Sequence, residues 1–184
     1  MQNRKTDLSQ FNNDFYNPGG SPLKRALWFV INAIFLICPL FPFSNIKIFW
    51  LRVFGAKIGP GVVIKPAVNI KYPWNLQLGK NVWIGEKVWI DNLAKVHIKH
   101  NVCISQGAFL LCGNHNYKKE TFDLVVAEIL LEEGVWIGAK SVICPGVTCK
   151  SHSVLTVGSV AAKDLEPYSI YQGNPAVKIR DRVL

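Results

Sequence analysis

Isoleucine or leucine returns at a fixed interval through most of this chain. It occupies Ile58, Ile64, Ile70, Leu78, Ile84, Ile90, Ile98, Ile104, Leu110, Leu131, Ile137, Ile143 and Leu155, with Cys149 in the same slot. Of the thirteen intervals between these fourteen positions, ten are six residues, two are eight and one is twenty-one. A second small or β-branched residue follows four places after most of them, as at Val62, Val68, Val82, Val88, Val102, Ala108, Val135, Ser141, Val147, Ser153 and Ser159. A period of six is neither helical nor simple strand alternation. It is the signature of a parallel β-helix, in which stacked coils cover one another's apolar edges. The chain is therefore expected to be mainly β, with the solenoid over 56–160, an N-terminal arm and apolar helices over 1–55, and a tail over 161–184.

Three hexapeptides make one triangular coil, and the positions group as 58/64/70, 78/84/90 and 98/104/110. The step between trios is eight, so one edge of the triangle carries two extra residues in successive coils. The twenty-one-residue interval leaves from that same edge. Its loop, roughly 111–129, reads LCGNHNYKKETFDLVVAEI and carries Asn114 and His115 beside the turn residue Gly113. Coils of a parallel sheet stack about 4.8 Å apart. Asp91 and Asn92, on the bulged edge one coil below, are thus expected to floor the His115 loop.

The flanks read differently. Residues 1–21 are polar and rich in Asn, Gly and Ser, and are expected to be loose or draped over the body. Ser21 and Pro22 predict a helix start and Pro39 a stop, giving a helix over 22–38 that is apolar nearly all round. From Leu23 to Cys38 it would reach about 24 Å, short of a hydrocarbon core of roughly 30 Å. Burial against the solenoid or a neighbouring subunit, an in-plane membrane contact helped by Lys24 and Arg25, and a short span all remain open. A second helix is expected over 45–54, with Ile46, Phe49, Trp50 and Val53 facing inward and Lys47 and Arg52 outward. Gly55 ends it. In the tail, Glu166-Pro167 and Gly173-Asn174-Pro175 are turn signals.

Charge and cysteine content narrow the function. In 184 residues there are 21 Lys and Arg against 12 Asp and Glu, a formal net charge of +9. That favours an anionic partner such as a phosphorylated cofactor or an anionic membrane surface. No basic run or basic–aromatic interleave supports nucleic acid. Five cysteines with no CxxC spacing argue against a disulfide framework or zinc knuckle, and no secretory signal opens the chain, which is consistent with a reducing cytoplasm. Cys103, Cys144 and Cys149 fall within the repeat and are expected to be small core residues.

His115 is the candidate general base, since imidazole titrates near neutrality and this one sits on a loop over a ledge. A lone loop histidine is more often merely solvated. A zinc site from His97, His100 and His115 is conceivable, but His97 points outward and His100 sits at a turn. No metal is expected.

The repeats, of form [LIV]-[GAED]-x-x-[STAV]-x, resemble those of the hexapeptide-repeat acyltransferases. Residues 131–180 look like the C-terminal half of galactoside and maltose O-acetyltransferases. The whole chain is more similar to the colanic acid biosynthesis acetyltransferases, through LKRALWFVIN, LRVFGAKIGPGVVIKP, YPWNLQLGKNVWIGEKVWIDN and ISQGAFLLCGNHNY. The resemblance implies a left-handed β-helix, against the usual right-handed crossover preference. It implies a homotrimer that moves acetyl from acetyl-CoA to a sugar hydroxyl in exopolysaccharide assembly, with His115 as base. Another small acceptor, such as serine or an amino-sugar nitrogen, and a non-catalytic trimeric scaffold are the alternatives. Trp136, Ala139, Val157, Gly158 and Ala162 match positions along the pantetheine arm, and Lys163 and Arg180 match basic residues near the cofactor phosphates. Ala162 stands where threonine is common, and CKSHS departs from the usual glycine-containing repeat. Asp91, Asn92 and Asn114 are the acceptor-side candidates. The apolar N-terminal helix suggests work at the inner membrane face.

Overall fold

The computed structural model describes residues 5–184. Strands of two or three residues form the three faces of a prism. The first face stacks Lys57–Ile58, Leu76–Leu78, Val96–Ile98, Ile129–Leu131 and Thr148–Cys149, all parallel. The second stacks Val63–Ile64, Trp83–Ile84, Cys103–Ile104, Trp136–Ile137 and Val154–Leu155. The third stacks Asn69–Ile70, Trp89–Asp91, Phe109–Leu111, Val142–Ile143 and Val160–Ala161. The registers reproduce the spacing read from the sequence: Ile58 pairs with Leu78, Leu78 with Ile98, Ile98 with Leu131 and Leu131 with Cys149.

The reason is burial. Ile64, Ile84, Ile104, Ile137 and Leu155 form one buried column, and Ile70, Ile90, Leu110, Ile143 and Ala161 another. Ser141, Ser153 and Ser159 fill the small corner positions and are buried. Cys149 is buried in the core, but Cys103 is only half-buried, on the outward side between Trp83 and Trp136. Alternation places the residue before inward Ile104 outside, which corrects the expectation for Cys103. Cys144 is also only partly buried.

The lower end of the prism would leave a row of unpaired backbone groups at each face. The N-terminal helices close all three. Trp28 of α1 (Pro22–Ile31) donates its indole N–H to the Ile70 carbonyl at 2.9 Å. Lys47 of α2 (Ser44–Val53) donates to the Lys65 carbonyl at 2.7 Å, and Ser44 Oγ accepts from the Ile64 N–H. Arg52 donates to the Ile58 carbonyl at 2.8 Å.

Arg52 faces outward and Trp50 packs partly against the core, as expected, but the rest of α2 faces otherwise. Lys47 is fully buried along with Ile48 and Leu51, while Ile46, Phe49 and Val53 are exposed. Hydrophobic spacing pointed the wrong way because the surface beneath the helix is an open sheet edge that needs donors. The first helix is capped by Ser21 as expected, but it turns from α to π geometry at Asn32 and continues so to Leu36. Its Trp28, Asn32 and Leu36 pack inward, and Leu27, Phe29, Val30 and Ile34 are exposed. Among the described residues no helix is long and apolar enough to cross a membrane.

At the upper end the tail adds Ser169–Gly173 parallel to Val154–Leu155, then reverses at Asn174 into antiparallel Ala176–Asp181. Residues 5–20 are draped over the body: Asp7 N–H bonds the Glu120 carbonyl at 2.9 Å, and the Tyr16 hydroxyl donates to the Leu93 carbonyl at 2.8 Å.

Candidate active site

The loop on the third-to-first edge is a β-hairpin. Gly113–His115 pairs antiparallel with Leu124–Val126, His115 opposite Leu124. Gly113 lies so close over the coil below that a Cβ there would collide with the Leu93 side chain. The tip is held by its own polar groups. Lys119 pairs with Asp123 at 2.7 Å, and Thr121 donates to the same carboxylate, which holds Asp123 below the usual carboxylate range.

The His115 ring is fixed on three sides. Its Nδ1 lies 2.9 Å from the Phe122 carbonyl oxygen. A carbonyl can only accept, so in the neutral ring Nδ1 carries the proton and Nε2 the lone pair. The Phe122 ring stacks on the imidazole at 4.4 Å and 8°, and Phe11 of the N-terminal arm approaches it at 5.7 Å. Phe122 has φ +51°, a left-handed conformation that is uncommon for a side chain of this size. That backbone turn aims its carbonyl back at the histidine.

His115 lines a cavity of about 520 Å³ with Asn114, Asp91, Lys71 and Tyr72, walled by Phe11, Asn13 and Tyr16 of the arm. Asp91 is nearly buried and pairs with Lys71 at 3.0 Å. Burial raises the Tyr16 hydroxyl well above its ordinary value. Asn114 is exposed, and its side chain accepts from the His115 N–H at 2.8 Å. Asn92 is not in the cavity. It is fully buried, its amide accepting from Tyr72 N–H at 2.9 Å and donating to Tyr72 C=O at 2.5 Å. It locks successive corners together, and both ends of its side chain are spent doing so; this corrects its expected place on the acceptor side.

The residues matched to the cofactor divide between two edges. Trp136, Ala139 and Val157 line a second cavity of about 400 Å³ with Ser105 and Thr156, on the second face and its corner with the third. Trp136 is half-exposed and its indole donates to Ser105 Oγ at 2.9 Å. Gly158 adjoins them, donating its N–H to the Ala139 carbonyl, and its φ of +66° and open surroundings suit a residue without a Cβ. Arg180 lies above on the reversed tail strand, opposite Ile170. Ala162 and Lys163 are exposed past Val160–Ala161, where the third face turns toward the first, on the edge that bears His115. One chain therefore does not bring His115 and Trp136 into one cavity.

The other histidines do not converge with His115. His97 lies outward on the first face, His100 Nδ1 accepts from the Lys80 N–H, and His152 stacks on Tyr168. Among the described residues no group of three His, Cys, Asp or Glu is placed to hold a metal ion. Sequence reasoning missed the Phe122 carbonyl and the arm residues Phe11 and Tyr16, since nothing local marks a carbonyl's direction or where a polar arm lands.

No known family profile matches the chain. It is 37% identical over 177 residues to the colanic acid biosynthesis acetyltransferase WcaF of Escherichia coli K12, an alignment that covers 96% of this chain and 97% of the relative. It superposes on a galactoside acetyltransferase in complex with coenzyme A with a TM-score of 0.76 at 25% identity, over 87% and 81% of the two chains. It also superposes on a hexapeptide-repeat-containing acetyltransferase of Vibrio cholerae complexed with acetyl coenzyme A, with a TM-score of 0.78 at 20% identity, over 88% of each. The parallel β-helix and these matches together define a hexapeptide-repeat acetyltransferase, and the protein is an enzyme of that class. Within that class the chain belongs to the colanic acid biosynthesis acetyltransferase family.

Proposed function

We propose that the protein transfers acetyl from acetyl-CoA to a sugar hydroxyl in exopolysaccharide assembly. The observation that carries the reading is the His115 imidazole, its Nδ1 2.9 Å from the Phe122 carbonyl oxygen, in the wall of the cavity that Asp91 and Lys71 also line. Nε2 takes the proton of the acceptor hydroxyl as its oxygen attacks the thioester carbonyl. The tetrahedral intermediate collapses, the C–S bond breaks, and the imidazolium returns the proton to the departing CoA sulfur. The Phe122 carbonyl stabilises the imidazolium while it exists. Asp91 and Asn114 orient the sugar. Holding both substrates in one cleft supplies much of the rate.

Acetyl-CoA is the co-substrate. Its pantetheine arm lies along Trp136, Ala139, Val157, Gly158 and Ala162, with Lys163 and Arg180 toward the phosphates. Because the histidine and the tryptophan lie on different edges of one prism, the site is completed by a second copy, in the clefts of a homotrimer of left-handed prisms. The exposed apolar side of α1, flanked by Lys24 and Arg25, supports a peripheral contact with the inner membrane face.

The test is acceptor-dependent release of CoA across a panel of sugars. His115→Ala is expected to lower kcat by about 10²- to 10⁴-fold with the KM for acetyl-CoA unchanged. Undiminished transfer by that variant would remove His115 from the mechanism.

A further inference from the structure

The cavity under His115 has a neighbour across Tyr72. Lys71 and Tyr72 also line a second cavity of about 510 Å³, between α1 and the third face, one coil lower. That volume falls in the usual range for small-ligand sites, roughly 300–1,000 Å³. From the helix it receives Arg25, Phe29 and Asn32, spaced four and three residues apart and so on one side of the helix; from the sheet it receives Asn69, Lys71 and Trp89.

Three features mark it as built for a ligand. Asn32 is 93% buried, at 7% exposure; its Nδ2 donates to Asn69 Oδ1 at 2.8 Å, yet its own Oδ1 has no partner. A buried carbonyl without a donor is a cost to the fold, and this one belongs to a residue in the cavity wall, where a turn of the amide would offer it to a ligand. Asn32 also opens the π-helical stretch, a geometry that concentrates at functional sites. Second, Trp89 is 43% exposed with one face stacked on Phe109 at 4.6 Å and 15°. Its neighbour on the coil below is the short Asn69, which leaves the other indole face open. Third, Arg25 has no carboxylate partner among the described residues. An aromatic face and an amide acceptor suit the apolar side and a hydroxyl of a sugar ring; an arginine fork with a lysine beside it suits a phosphate.

We propose that this cavity is a second acceptor subsite that holds the phosphate-bearing unit of a sugar phosphate, with the acetylated hydroxyl presented to His115 one coil above. The inference rests on the acetyltransferase reading above and names its acceptor class. Trp89 carries the ring and Arg25 neutralises the phosphate, beside a Lys71 that pairs with Asp91; rotation of the Asn32 amide on binding brings its Oδ1 to a sugar hydroxyl. Sugar 1-phosphates and nucleotide sugars share this chemistry.

The test is calorimetric titration of the full-length protein, with CoA present, using glucose 1-phosphate, UDP-glucose, glucuronate and methyl β-glucoside. At least one of the two phosphorylated probes is expected to bind more tightly than the neutral glucoside, and which of them does identifies the source of the phosphate. Arg25→Ala and Trp89→Ala are each expected to weaken that binding about tenfold while CoA affinity stays unchanged. Asn32→Leu should do the same; Trp89→Ala alters an outward side chain and carries the test if Asn32→Leu fails to fold. Equal binding of charged and neutral probes, preference for glucuronate, or indifference to Arg25→Ala would overturn the proposal. Wild-type protein that acetylates a neutral sugar through His115 but ignores both phosphorylated probes would sink the subsite alone and leave the acetyltransferase reading standing. Phosphosugar binding without acetyl transfer would do the reverse.

Discussion

The proposed base, His115, is held by a residue of its own hairpin. The Phe122 ring and carbonyl together set the plane and the tautomer of the imidazole. Phe122→Ala keeps the carbonyl but removes the stacking surface. It is expected to lower kcat roughly tenfold, with an unchanged melting temperature and an unchanged KM for acetyl-CoA, because a misoriented base loses proton transfer rather than binding. A second residue gives a pH signature. Burial pushes the Glu132 carboxyl up, but hydrogen bonds from the Ser151 hydroxyl and N–H and from Lys99 outweigh it, and the net shift is downward. A carboxyl depressed in the folded state stabilises above its unfolded value and loses that contribution as pH falls through the lowered folded value. Glu132→Gln should therefore melt below wild type near neutral pH, and the gap should close in acid as the pH falls through the lowered folded value. A gap that stays constant across that range would show that the charge of Glu132 contributes nothing.

At the scale of elements, the caps are the part that pattern reading misjudged. A helix with Ile46, Phe49, Trp50 and Val53 at helical spacing should bury them, yet only Trp50 is partly buried and α2 buries Lys47 fully. The open edge of the second face offers the Ile64 and Lys65 carbonyls, and an ammonium on a long stem reaches both. Burial lowers the Lys47 pKa, so the charge is held there at a cost that its hydrogen bonds offset. Lys47→Ala strips those carbonyls of their donor and leaves a cavity, and is expected to cost roughly 2–4 kcal/mol in denaturant unfolding. Arg52→Ala, at an exposed contact of similar kind, should cost about 1 kcal/mol or less. Equal losses in the two variants would show that burial of the donor does not matter. The hairpin at 113–126 was legible only as an insertion, because its strand pairing depends on the edge from which it springs.

For the whole molecule, the division of the proposed site between two edges makes a sharp expectation. His115→Ala subunits, nearly inactive alone, should regain activity when co-expressed with Trp136→Ala subunits and assayed at acetyl-CoA well below the raised KM of the latter, because a mixed form of the proposed trimer would contain clefts that take the intact histidine from one subunit and the intact tryptophan from another. Absence of recovery in mixed oligomers shown to contain both subunits would place both side chains of each site on one chain. Trp136→Ala alone should raise the KM for acetyl-CoA more than it lowers kcat.

The repeat made the prism, its three-sided register and its bulged edge readable before any coordinates, because burying one apolar residue every six positions leaves a chain few other ways to close. That the loop carrying His115 leaves over Asp91 followed from the same arithmetic. Tertiary structure alone decided which way α2 faces, that Asn92 is spent on the Tyr72 backbone, that the arm reaches Phe11 to His115, and that the Phe122 carbonyl meets the imidazole. These depend on unpaired backbone groups at an edge and on contacts between segments far apart in the chain, and a hydrophobic pattern records neither.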